Sequence, residues 1–434
     1  MSMPGYPSST PAPARGYRVL LLAIILLAGA GLRIGYAAYR GLATPPETGT
    51  DQEEYDLYAW NLAQGRGYRG PSPDVADQDH ATAYRPPGPS FVMACVYAVA
   101  GHRHDAARVV NCLLGTASIW LLYLIGARTF GSLAATWAAA VYACYPLAVM
   151  QSGELLSEPL GVFLFLWLVL TALRFDAAPS WRSAVATGVV LALGLLTRPN
   201  YVFFAPLLLG WILIRGWGRP GIWRQAAIVC VAAGLTIAPW AARNYGVFGK
   251  LIPFSTAGGS ALLQGNNREI LTNPRYAGYS IWDTELPEYR EALRSAGDEV
   301  ERDRRAGAFA VEWLKANVDQ WPALAWNKFA RSWTPWLTQN PSRAHQLLYA
   351  ATWGPVLTLL ALGFIPTLLN SFRRGDGGWI VHLAILHFVP TTVIFFANIR
   401  YRAPVDPLCI LVACAFLAPI WISARSPALD LRRL

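Results

Sequence analysis

Long apolar runs broken by short arginine-bearing turns dominate this 434-residue chain. Runs long enough to cross a bilayer, at about 1.5 Å per helical residue, fall near 18–39, 107–127, 132–150, 156–173, 183–197, 200–214, 225–240, 347–369, 378–397 and 404–422. An eleventh run, 89–100, holds about a dozen residues, which is short for a span and suits a helix lying at the interface or dipping into it. The pattern predicts an all-α polytopic membrane protein with about 10–11 transmembrane helices and a large first outer loop carrying interfacial helices. Three regions follow: 1–240, a transmembrane module that includes the polar loop 40–106; 241–345, a second polar outer region; and 346–434, the last transmembrane helices.

Arginine placement orients the chain. If 89–100 does not cross and the N-terminus is cytoplasmic, the cytoplasmic turns and tails hold Arg15, Arg18, Arg128, Arg174, Arg182, Arg215, Arg219, Arg224, Arg373, Arg374, Arg425, Arg432 and Arg433. The short outer turns then keep Arg198, Arg400 and Arg402, as the positive-inside rule requires. Both termini are therefore expected in the cytoplasm, and both polar regions on the outer face of the inner (plasma) membrane. Charge changes the picture little: the net +10 is scattered between apolar runs, with 54% of residues hydrophobic and 14% charged, which excludes a soluble nucleic-acid binder. With lysine only at 250, 315 and 328, the arginine preference points to a GC-rich, bacterial genome. All six cysteines lie in apolar runs and read as small core residues. Phe309, Trp313, Trp321, Trp326, Phe329, Trp333 and Trp336 stand among basic residues, as an interfacial amphipathic helix or the aromatic core of a small outer domain.

Candidate chemistry gathers at the outer ends of the runs. Tyr55, Tyr58, Ala59 and Leu62 follow helical spacing, with Asp51 at the N-cap and Glu54 three residues on, as in a capping box. Asp51 is either that cap or a general base that takes a proton from an acceptor hydroxyl. In Tyr84-Arg85-Pro86-Pro87-Gly88, the prolines stiffen the backbone beside an arginine that either clamps a phosphate or snorkels to headgroups. Glu154 and Glu158 share a helical face at the start of a run, placed there by the helix dipole or to contact sugar hydroxyls. Arg198, Arg243, Arg400 and Arg402 end on the same side. Several arginines beside one candidate base suit the departure of a lipid phosphate, whose growing negative charge needs stabilisation more than a proton. Asp77 and Asp79 form a DxD, read as solvated acids with no βαβ setting around them.

Asp51 with Tyr55, Ala59, Leu62 and Gly65-Arg66-Gly67-Tyr68, then Arg85-Pro86-Pro87-Gly88, Glu158, Thr197-Arg198-Pro199, Pro239-Trp240, Arg243-Asn244-Tyr245, Gly265-Asn266-Asn267 and Arg400-Tyr401-Arg402, resemble the GT-C glycosyltransferases. The likeness runs over about residues 18–422 and is to the branch of protein O-mannosyltransferases and lipid A aminoarabinose transferases, glycosyltransferase family 39 and relatives. It implies a GT-C fold, a polyprenyl-phosphate-linked sugar donor, an outer-face site and inversion at the anomeric carbon, with a lipid, glycan or protein acceptor. Carried over residue by residue, it makes Asp51 the base and Arg85 the basic residue before the proline pair, with Glu54, Glu158 and Glu154, in that order, as candidates for the second acid; Arg198, Arg243, Arg400 and Arg402 are the further candidates for the donor phosphate. Tyr55, Tyr84, Glu154 and Asn266 become substrate contacts. The chain departs from the pattern at Gln52, where many relatives carry an acid beside the aspartate, and at Tyr84, where some carry another. No cofactor or metal ligand set is implied, and a divalent ion stays open. Competing readings are a flippase for lipid-linked sugars, with His382 and His387 as its in-span groups, or a glycan ligase or polymerase using lipid pyrophosphate.

Overall fold

The computed structural model describes residues 15–73, 75, 77–336 and 342–425. The two chain ends, with Arg432 and Arg433, and the side chains of Arg15 and Arg425 lie outside the described residues, and so do the expectations placed on them. The described residues form twenty α-helices, in order: α1 Arg15–Arg40, α2 Asp51–Ala63, α3 Pro87–Ala100, α4 His104–Thr129, α5 Ser132–Cys144, α6 Pro146–Ser152, α7 Glu158–Ala177, α8 Trp181–Leu195, α9 Phe204–Arg215, α10 Ile222–Phe248, α11 Gly258–Gly265, α12 Arg268–Thr272, α13 Pro287–Arg294, α14 Glu299–Ala316, α15 Trp321–Ser332, α16 Arg343–Arg374, α17 Ile380–Leu386, α18 Phe388–Ile394, α19 Ile399–Arg402 and α20 Asp406–Arg425. Among the described residues the only sheet is a two-residue ladder, β1 Arg69–Gly70 against β2 His80–Ala81.

Every predicted apolar run is helical, but not every one is a straight span. By length and composition six helical segments among the described residues are fit to cross a membrane, and up to seven if a bent pair counts as one span. That pair is the 132–150 run, which bends by 57° between α5 and α6. The cause is local: Tyr145 precedes Pro146, which bars it from helical geometry, and it adopts φ −64°, ψ 115°. The run 378–397 forms one helical segment, Gly377–Ile394, in which α17 and α18 meet at His387 with helical dihedrals kept. The 225–240 run extends further than its apolar stretch, to Phe248. Leu20, Leu27, Val231, Leu235 and Leu362 face outward from α1, α10 and α16, apolar surface that only lipid satisfies.

The bundle has two unlike ends. At one, the short turns meet: Arg215 pairs with Asp176 at 2.8 Å and donates to Gly375 O at 2.7 Å, while Arg374 donates to Thr129 O at 2.6 Å. Both polar regions gather at the other, where Glu299 of α14 accepts from Ala83 N at 2.7 Å, Thr82 Oγ1 at 2.6 Å and Thr256 Oγ1 at 2.9 Å. The short apolar helix α3 begins and ends against α2, through Arg85 to Asp51 just before it and His102 to Asp56 just after it. It therefore lies along this end of the bundle instead of passing through it.

The region 258–332 has its own aliphatic core of Leu263, Ile270, Ile281, Leu286, Leu293, Ala306, Ala310 and Leu324. This divides the aromatic series expected of one interfacial helix. Phe309 and Trp313 pack on that core, Trp333 stacks on Trp353 of the bundle, and Trp321, Trp326 and Trp336 stay exposed.

Candidate functional site

Five separate stretches of chain deliver charged groups to one place at the end that carries the polar regions. Asp51 opens α2, and Glu54 lies one turn on. Arg85 stands just before Pro86, the extended N-cap of α3, whose first residue is Pro87, and its carbonyl is held by Tyr68 Oη at 3.1 Å. Gly88 brings this stretch against the turn after α8: its amide donates to Leu196 O at 2.9 Å, and a Cβ there would press on Thr197. Glu158 is the first residue of α7, where the helix N-terminus favours an anion. Arg198 lies in the turn after α8, and Arg400 on the single turn α19, whose cap is Asn398.

Their charges alternate in an unbroken line. Glu54 Oε2 meets Arg85 Nε at 2.5 Å, and Arg85 Nη2 meets Asp51 Oδ1 at 2.8 Å. Asp51 Oδ2 meets Arg400 Nη2 at 3.2 Å, Arg400 Nε meets Glu158 Oε1 at 2.9 Å, and the same oxygen lies 3.7 Å from Arg198 Nη1. Three carboxylates face three guanidinium groups, so the line is neutral. Exposure is uneven along it: the Arg198 and Glu158 side chains are 3% and 1% exposed, whereas that of Arg400, beside them, is 38% exposed. Among the described residues no protein atom hydrogen-bonds Nη1 of Arg85 or of Arg400, so each arginine keeps donors for a further anion.

The two acids of α2 differ in basicity. Burial pushes both upward, but at Asp51 the paired Arg85 and Arg400 outweigh it and hold the carboxyl below its ordinary range. Glu54 has Arg85 alone, so burial prevails and its pKa rises. The hydroxyl of Tyr55, buried in the wall, is pushed up to about 12. Tyr84 is stacked under Arg85 at 4.8 Å.

At the same end opens a largely apolar cavity of about 530 Å³ whose walls include Pro87, Phe91, Leu160, Leu196 and Trp240, with Arg243 the one charged residue among the described residues of its lining. Its lining adjoins the charged residues along the chain, since Pro87 follows Arg85 by two, Leu160 follows Glu158 by two and Thr197 precedes Arg198.

Several expected residues have other tasks. Asp51 is not the cap of α2: Thr50 occupies that position, Glu53 accepts from Gly49 N at 2.6 Å, and the Asp51 carboxylate is spent on arginines. Arg243 does not reach the line, because it donates to Thr82 O at 2.7 Å and Tyr68 O at 2.6 Å and so ties α10 to the first polar region. Arg402 is wholly buried 3.7 Å above Trp353, bonded to Asp406 at 2.6 Å and to Tyr349 Oη at 2.5 Å. Asn266 is buried too, accepting from Lys328 Nζ at 2.7 Å and donating to Ile394 O at 2.9 Å. Glu154 offers its backbone carbonyl to Asn111 Nδ2 at 2.8 Å and is not part of the line. Asp77 and Asp79 shape a local turn, Asp79 pairing with Arg69 at 3.4 Å.

Two features escaped the sequence reading. Arg33, inside the first apolar run, is buried and donates to the carbonyls of Gly29 and Ala143 at 3.1 and 2.9 Å, stapling α1 to α5. Asp56, His102 and His104 converge behind α2. The only sequence sign of the second is the His-x-His spacing at the start of α4.

A family model described as dolichyl-phosphate-mannose-protein mannosyltransferase matches residues 84–242. No curated protein matches the chain in sequence at a significant level. The archaeal oligosaccharyltransferase AglB from Archaeoglobus fulgidus, solved in complex with an inhibitory peptide and a dolichol-phosphate, superposes with a TM-score of 0.55 at 12% identity, covering 94% of this chain and 50% of that one. The apo form of the Archaeoglobus fulgidus oligosaccharyltransferase gives 0.56 at 13% identity, covering 95% and 51%. ArnT from Cupriavidus metallidurans bound to undecaprenyl phosphate gives 0.44 at 15% identity, covering 95% and 79%. This chain thus spans about half the length of the oligosaccharyltransferase. Its succession of apolar helices, its family-model match and its superposition on the oligosaccharyltransferase identify it as a multi-pass membrane protein with the GT-C fold.

Proposed function

We propose that this protein is an inverting membrane glycosyltransferase that moves a sugar from a polyprenyl-phosphate donor to an acceptor hydroxyl at the outer face of the membrane. The observation that carries the reading is the pair of arginines astride Asp51. Arg85 and Arg400 each hold one oxygen of that carboxylate and each keep Nη1 for a phosphate. The largely apolar cavity at the same end suits the first isoprene units of the donor, which lets the lipid lie among helices while its phosphate meets the charged line. The likeness of residues 84–242 to the mannosyltransferase family supports the same donor class.

The chemistry follows from these placements. The acceptor oxygen bonds to the anomeric carbon from the face opposite the phosphate, and the bond to the phosphate oxygen breaks, leaving its electron pair on the lipid phosphate. That group goes from one negative charge to two, and Arg85 and Arg400 stabilise the gain where it develops. The acceptor proton passes to Asp51. Before the donor arrives Asp51 is a poor base, because two guanidinium groups hold it ionised. A phosphate that draws those groups toward itself weakens their hold, so Asp51 gains basicity when the donor is seated. Arg198 and Glu158, almost fully buried, keep Arg400 in place from behind.

A flippase reading has less support. His382 and His387 are engaged within the bundle, His382 Nε2 with Thr367 Oγ1 at 2.9 Å and His387 Nδ1 with Ala384 O at 2.5 Å. The decisive experiment gives the purified protein a panel of polyprenyl-monophosphate sugars and a cell-envelope extract as acceptor source. Release of free polyprenyl phosphate that depends on the extract is expected. Release of lipid pyrophosphate from an oligosaccharide-pyrophosphate donor, with every monophosphate donor left intact, would replace this reading with the ligase one.

A further inference from the structure

Asp56 lies five residues beyond Asp51 on α2, about 140° around the helix at 100° per residue, and faces away from the charged line. It is 3% exposed. Unlike Asp51 it is met by imidazoles: His102 Nε2 at 2.9 Å and His104 Nε2 at 3.3 Å approach the same oxygen, Oδ2. The other oxygen, Oδ1, accepts from Tyr97 Oη at 2.5 Å. The ring of His102 lies flat on Trp60 at 4.6 Å, and that of His104 packs 4.7 Å away. Nearby Arg108 is turned elsewhere, onto the carbonyls of Leu42 and Thr44 at 2.6 Å each.

We infer that Asp56, His102 and His104 form a binding site for a divalent first-row transition ion of the zinc class. Three donors from three positions converge, with one ligand atom from each within 4.8 Å of the others. A tetrahedral ion with bonds of about 2.0–2.1 Å sets its ligand atoms about 3.3 Å apart, close to the 2.9 and 3.3 Å separations found. Two imidazoles and one carboxylate select zinc, cobalt or nickel over magnesium and calcium, which favour oxygen ligands. The partly exposed edge of His102 gives an entry path and leaves the fourth position to water. Tyr97 orients the carboxylate from behind, as outer-shell groups do in metal sites. The ion ties α2 to the junction of α3 and α4, so it braces the helix that carries Asp51 and Glu54 without touching either.

The test uses the full chain, purified in detergent and stripped with a chelator, then titrated with Co²⁺ while visible absorption is recorded. Absorption bands that saturate at one equivalent, that Zn²⁺ abolishes and that excess Mg²⁺ leaves intact are expected. His102→Gln should lose them, Asp51→Asn should keep them, and Tyr97→Phe should weaken Co²⁺ binding by about 10- to 100-fold. Absence of saturable binding overturns the inference and leaves two imidazoles hydrogen-bonded to a carboxylate. Bands retained in His102→Gln but lost in Asp51→Asn also overturn it, because they put the ion on the charged line. Should His102→Gln fail to fold, Tyr97→Phe decides alone, and unchanged Co²⁺ affinity in that variant is contrary.

Discussion

Replacing Asp51 with asparagine separates its chemistry from its packing. The side chains are nearly equal in size, and the asparagine oxygen still accepts from one arginine, but the proton acceptor is gone. The six-residue line changes from neutral, with three acids and three arginines, to a net single positive charge. A general base is worth about 10²- to 10⁴-fold, so turnover should fall by that factor, or about 3–5 kcal/mol of barrier at 1.36 kcal/mol per tenfold. Donor affinity should move the other way or stay level. Removing a unit charge about 5 Å from the phosphate relieves a repulsion of about 3 kcal/mol at an effective dielectric constant of about 20, before screening. Stability should drop only modestly, because Arg85 keeps Glu54 and Arg400 keeps Glu158. The assay pairs single-turnover release of polyprenyl phosphate with equilibrium binding of a donor analogue. Turnover near the wild-type rate would refute Asp51 as the base. A parallel loss of donor binding and turnover would refute it as well, by showing that the carboxylate serves to position the arginines.

Arg85→Lys and Arg400→Lys keep the charge but lose the planar fork, so each should weaken donor binding about tenfold or more with folding intact. Arg402→Lys should instead lower the melting temperature, since it breaks a buried pair with Asp406; equal donor affinities in all three would return the first two to the role of headgroup anchors. Burial raises Asp303 from 3.8 to about 7, so between those values the folded form holds a proton that the unfolded chain has released. Its contribution to the stability of the 258–332 region should therefore be full below about pH 4 and be lost as pH rises to 7, so the melting temperature of the wild type relative to Asp303→Asn should fall across this range, and a difference that stays level would contradict it. In a cysteine-free background, Ser295→Cys should react with an impermeant thiol reagent added outside intact cells and Ala178→Cys should not, whereas the reverse pattern would invert the topology.

What the sequence could show depended on the range of the interaction. Apolar periodicity is local, so every run was legible as helix; Pro146 inside the 132–150 run was equally local and marked a break at Tyr145 that apolar length alone passes over. The charged line was largely legible because its members sit at run ends, where a membrane tolerates charge: Asp51, Glu54, Arg85, Glu158, Arg198 and Arg400 were all candidates and all lie in it. Arg243 and Arg402 looked alike in sequence and are not in it. What divides the two groups is the direction of a guanidinium and the presence of a distant carbonyl or indole, as Trp353 lies under Arg402. Such pairings arise from tertiary packing and leave no periodic trace. The same holds for Asp56, whose imidazole neighbours are 46 and 48 residues away.

The central claim, that Arg85 and Arg400 receive the donor phosphate beside Asp51, is tested most directly by an experimental structure with a polyprenyl phosphate bound. The account predicts phosphate oxygens within hydrogen-bond distance of Nη1 of both arginines and the isoprenoid chain along Phe91, Leu160 and Trp240. A phosphate seated instead at Arg243, or at the opposite end of the bundle near Arg215 and Arg374, would contradict it.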